Sequence, residues 1–129
     1  MHVNFFEDPL LAPKAREDVR FNRLGMYVYP DRRRVAVGFD ITPFLERPSL
    51  EVNINNDGGQ RAASLNVIET NESNFSLTMH LRDQSPTDVY HVQIILYYAK
   101  PGEEKLVVDQ QSATFTLTLP GDQIIYQIG

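Results

Sequence analysis

Apolar and polar residues alternate strictly from Phe75 to Arg82, where Phe75, Leu77, Met79 and Leu81 interleave with Ser76, Thr78, His80 and Arg82. Successive side chains of a strand point to opposite faces, so this period of two predicts a strand with one buried and one wet face. The same period sets Leu50, Val52 and Ile54 against Glu51, Asn53 and Asn55. It recurs from Val35 to Ile41 and from Thr114 to Leu119, with Phe115, Leu117 and Leu119 inward in the latter. Shorter or less regular strands are predicted for Leu24 to Tyr29, Ala63 to Thr70 and Leu106 to Val108. The longest β-branched and aromatic run is Asp88 to Tyr98. Its Tyr90, Val92, Ile94, Leu96 and Tyr98 share one face, and the mixed set Val89, His91, Gln93, Ile95 and Tyr97 shares the other. A strand apolar on one face and half-apolar on the other belongs inside a sheet.

Turn-forming clusters separate these runs. Pro30-Asp31 and three arginines predict a hairpin, Asn56-Asp57-Gly58-Gly59 and Asn71-Glu72-Ser73-Asn74 predict turns, and Lys100-Pro101-Gly102 another. Seven or eight short strands without a convincing helix predict an all-β fold, an antiparallel β-sandwich. Residues 1–19 lack alternation, and Pro9 and Pro13 interrupt them. They read as an irregular N-terminal arm with a helical turn around Lys14 to Val19, ahead of a single domain over residues 20–129.

From Pro48 to Leu119 the order and spacing of strands resembles the immunoglobulin-like and fibronectin type III-like sandwich superfold. Asp88-Val89-Tyr90-His91-Val92 is similar to the start of that fold's sixth strand. The resemblance implies a structural role for Tyr90 as the corner tyrosine whose hydroxyl caps a loop, with Val92 where antibody domains keep a cysteine. The chain has no cysteine and no tryptophan, which excludes antibody-type membership. A C2-like or jelly-roll sandwich is an alternative. The superfold hosts many activities and by itself assigns none.

Without cysteine there is no disulfide framework and no thiolate metal site. No apolar run approaches the roughly 20 residues of a spanning helix, and the N-terminus lacks a secretory pattern, so with Met1 as the start we expect a cytoplasmic chain without membrane association. The net charge of −5 argues against nucleic acid as a partner. Its distribution is uneven. Residues 1–50 hold eight Lys/Arg against seven Asp/Glu, and the rest hold four against ten, so a weakly basic front precedes an acidic back.

No constellation for catalysis emerges: Gly-x-Ser-x-Gly, a phosphate-cradling glycine loop and His-Glu-x-x-His are all absent. We therefore expect no enzyme activity and no cofactor. His80 and His91 fall on strands of opposite sheets in an immunoglobulin-like arrangement, too far apart to share an ion. Asp83 and Asp88 flank Gln84-Ser85-Pro86-Thr87, which could hold calcium, but a turn closed by Asp83 is the simpler reading. Arg32-Arg33-Arg34 reads as a solvated hairpin tip.

The apolar terminal segments stand out instead. Phe5, Phe6, Leu10 and Leu11 in the arm, Ile95 and Tyr97 on the outer face of the central strand, and Ile124, Ile125, Tyr126 and Ile128 at the end are too apolar to leave in water. They predict a non-catalytic interaction module that docks these segments on its own sheet or associates with a protein partner or a second copy, possible dimers included. The alternative is a carbohydrate- or small-ligand-binding module using Tyr27, Tyr29 and Tyr97.

Overall fold

The computed structural model describes residue 5, residues 12–118 and the backbone of residues 123–127. Eight strands are present among the described residues: β1 (Phe21–Val28), β2 (Arg34–Ile41), β3 (Ser49–Asn56), β4 (Arg61–Val67), β5 (Asn74–His80), β6 (Val89–Tyr98), β7 (Leu106–Thr116) and β8 (Gln123–Gln127). They form two four-stranded antiparallel sheets, in the orders β5-β2-β1-β8 and β4-β3-β6-β7, stacked as a β-sandwich. Among the described residues of the arm, a short 3-10 turn spans Arg16–Asp18. No helix among the described residues is long and apolar enough to cross a membrane.

The alternation read from the sequence sorts side chains as expected. Leu24, Met26, Val28, Val35, Val37, Phe39 and Ile41 face Leu50, Val52, Ile54, Val92, Ile94 and Leu96 across the interior, all essentially without solvent contact. Each such side chain contributes about 1.5–3 kcal/mol by leaving water. Aromatic pairs close the ends of this layer: Phe39 lies between Phe21 and Phe75, and Tyr90 stacks on Phe115 with centroids 5.3 Å apart. β6 sits inside its sheet, hydrogen-bonded to β3 and β7.

Three boundaries differ from the sequence reading. Leu106 to Val108 and Thr114 to Leu119 are not separate strands. Residues 106–116 run as one strand, β7, paired with β6 along its length. Its middle, Asp109-Gln110-Gln111-Ser112, is polar because β7 is an edge strand with little to bury, so the sequence carries no apolar period there. Leu117 and Thr118 lie in a turn, and Leu119 falls outside the described residues. β4 ends at Val67 rather than Thr70, since Ile68 is exposed and Glu69 takes a positive φ of 49°. Finally, the C-terminal segment adds a strand, β8, to β1 of its own chain.

Candidate functional site

The outer face of the sheet β5-β2-β1-β8 carries a socket without side chains of its own. Gly25 and Gly38 are cross-strand partners at the centre of the β1–β2 pair. Glycine weakens a strand interior, so a paired set needs a reason. The reason is Phe5. A Cβ built on Gly25 would overlap one edge of the Phe5 ring, and a Cβ built on Gly38 would overlap the other. The arm's aromatic ring therefore occupies the volume the two absent side chains would fill. β2 is buried on both faces as a result: Ala36, Gly38 and Asp40 on the outer side are as enclosed as Val35 and Val37 on the inner one. Arg23 extends the covered face by pairing with Asp40 at 2.8 Å.

Gly25 is also where the two terminal segments meet, since its partner on the other side is Ile125 of β8. Ile124, Ile125 and Tyr126 thus pair through their backbone with β1 of the same chain. Phe6, Leu10, Leu11 and Ile128 lie outside the described residues. Ile95 and Tyr97 do not make an exposed patch. Ile95 is half-buried and Tyr97 is only 7% exposed, because Lys105 lies across the Tyr97 ring and Asn66 accepts its hydroxyl at 3.0 Å. Nor do Tyr27 and Tyr29 form an open aromatic platform. They meet edge to face, and Tyr29 is buried beneath the Arg34 guanidinium.

Where the chain turns from Leu81 toward β6, a buried polar cluster holds the end of the sandwich. The Tyr90 hydroxyl donates to Asp83 Oδ2 at 2.8 Å, Asn56 Nδ2 donates to the same oxygen at 2.9 Å, and Arg33 Nη2 donates to Oδ1 at 3.1 Å. Burial pushes the Asp83 carboxyl up, but these three donors together outweigh it and leave the pKa below the ordinary carboxylate range. The Tyr90 hydroxyl moves the opposite way, up, through burial and the adjacent carboxylate. Arg33 thus reaches into this cluster with a partly exposed guanidinium instead of standing free at the hairpin tip, and Asp83 is committed to closing the turn through both its oxygens.

The opposite end is held by Glu46, whose carboxylate takes the Arg16 guanidinium and Lys100. Those partners, Arg16 first, lower its pKa from 4.5 to about 2. Arg16 also lies 4.9 Å from the Tyr98 ring centroid. Burial, helped by the Glu46 charge, raises the Tyr98 hydroxyl to about 12. The arm is tied down here as well, through Lys14 N–H to Pro43 O and Leu45 N–H to Lys14 O. Four large apolar side chains that the sequence reading passed over, Leu45, Ile68, Leu106 and Val107, are exposed at this same end. Only the loss of alternation at Ile68 signalled any of them.

His80 and His91 sit on different sheets. Among the described residues no group of three or more metal-ligating side chains is gathered. Neither a protein-family model nor a curated protein sequence matches the chain.

Proposed function

We propose that this protein is a non-catalytic β-sandwich interaction module that self-associates through its terminal segments. The observation that carries the reading is the Phe5 ring in the socket floored by Gly25 and Gly38. The socket is matched to an aromatic side chain that the chain itself supplies, so a second copy can fill it with the same contacts. Exchange of an identical element between protomers needs no new interface chemistry. The outer edge of β8, which pairs with no other strand among the described residues, offers backbone pairing beside the socket. The weakly basic front of one copy would meet the acidic back of another, adding orientation more than strength.

An immunoglobulin-like connectivity is part of the proposal. It is supported by the division of strands, with β1, β2 and β5 in one sheet and β3, β4, β6 and β7 in the other, and by Tyr90 at the head of β6. We read the protein as using neither nucleic acid, membrane nor cofactor.

Light scattering over a tenfold concentration range tests the association. A dimer or larger species that shifts toward monomer in Phe5→Ala is the expected result. A chain that stays monomeric throughout, or an oligomer indifferent to Phe5→Ala, overturns it.

A further inference from the structure

The other sheet, β4-β3-β6-β7, carries a feature that self-association does not use. Its outer face holds an open recess of about 490 Å³ lined by Asn53 and Asn55 of β3, His91 and Gln93 of β6, and Ser112 and Thr114 of β7. That volume lies within the roughly 300–1,000 Å³ of ligand clefts. Register makes the set coherent: Asn55, His91 and Thr114 form one cross-strand row, and Asn53, Gln93 and Ser112 form the next. Among the described residues no carboxylate and no ammonium lines the recess; besides Val92 and Ala113 it presents amides, hydroxyls and one imidazole.

Two of the amides are held in a fixed orientation. Arg61 donates from Nε to Asn55 Oδ1 at 2.7 Å and from Nη1 to Asn53 Oδ1 at 2.8 Å. Arg61 reaches that face only because of a β-bulge. Ile54 pairs with Ala63 but Asn55 pairs with Arg61, so Ala62 is the extra residue. Without the bulge, the period of two would turn Arg61 toward the interior. With both carbonyl oxygens held by Arg61, the two Nδ2 groups are left as the oriented donors of these amides. His91 complements them. Its Nε2 faces Asp57 Oδ1 at 3.0 Å; in the tautomer that donates Nε2–H to this carboxylate, Nδ1 is the acceptor.

We propose that this recess binds a neutral, hydroxyl-rich ligand, an oligosaccharide laid across β3, β6 and β7. A hydroxyl both donates and accepts, so it matches fixed Asn donors, the His91 acceptor and the two-way groups Gln93, Ser112 and Thr114. The two charged groups beside the recess are already engaged, the Arg61 guanidinium by the asparagines and the Asp57 carboxylate by His91, which favours a neutral ligand over an ion. Asn53, Asn55 and Gln93 contact the ligand, and Arg61 is a positioning residue.

The test titrates the isotope-labelled full chain with cellohexaose, xylohexaose and mannohexaose to millimolar concentration, following side-chain amide resonances by NMR. Saturable shifts of the Asn53, Asn55 and Gln93 amides with at least one probe are expected. Asn53→Ala with Asn55→Ala should weaken that binding about tenfold or more, and Gln93→Ala less, with core backbone resonances unchanged. Arg61→Ala should weaken it while broadening or shifting the two Asn amides before any ligand is added. No saturable shift with any probe, or binding that survives both Ala variants, overturns the proposal.

Discussion

The Tyr90 hydroxyl donates to the Asp83 carboxylate across 2.8 Å, and both groups are cut off from solvent. A tyrosine of β6 is thereby fastened to the loop that brings the chain across from the other sheet. Tyr90→Phe keeps the ring stacked on Phe115 and removes only the donor. It should cost about 1.5–3 kcal/mol, the range for a hydrogen bond to a charged group, read from urea unfolding. A loss below about 0.5 kcal/mol would mean that the bond is incidental.

Asp83→Ala should cost more, about 3–5 kcal/mol, because it removes the acceptor of the buried Tyr90 hydroxyl and one acceptor each of Asn56 Nδ2 and the Arg33 guanidinium. Arg33→Met should cost less, since the guanidinium is partly exposed and Asp83 keeps two donors. A double-mutant cycle on Arg33 and Asp83 measures their coupling, and strict additivity would contradict the cluster.

Acid should weaken the fold through Glu46. Its pKa falls from 4.5 to about 2 on folding, so the stabilisation is complete above 4.5 and drains away as pH falls toward 2. Asp83, also depressed, adds to the same side. Thermal unfolding of Glu46→Gln should show a shallower acid slope than the wild type. High salt should flatten the wild-type slope too, because the Glu46 pairs are half exposed. Equal slopes in the two proteins would exclude Glu46 as the group responsible.

Gly38→Ala should reverse sign with the state of residue 5. In the wild type the new methyl overlaps the Phe5 ring and must displace it, lowering the melting temperature. In a Phe5→Ala background the same change should be neutral or stabilising by about 0.5–1 kcal/mol, as alanine restricts the unfolded chain more than glycine does. A penalty unchanged by Phe5→Ala would show that the socket is not steric.

The sandwich was legible because its inner strands obey a period of two that burial enforces, as in Leu50–Ile54 and Val35–Ile41. β7 was not, because an edge strand can carry Asp109-Gln110-Gln111-Ser112 without cost. The socket was illegible for a different reason: Gly25 and Gly38 become one site only through the β1–β2 register, and Phe5 reaches it from outside any strand. Arg33 looked like its neighbours Arg32 and Arg34 because only the approach of the loop at Asp83 distinguishes it. The bulge at Ala62, which turns Arg61 outward, leaves no mark in the alternation of so short a strand.

The pairing of Gly25 with Ile125 joins residues 100 positions apart. During synthesis β1 can pair with β2 as soon as the first hairpin has emerged, but its other edge waits until residue 127 is clear of the ribosome. For that interval β1 is an open edge on every nascent chain, and neighbouring chains on one message present the same edge at the same stage. The delay between the synthesis of β1 and that of β8 thus sets the length of the window in which partly built copies can pair with each other.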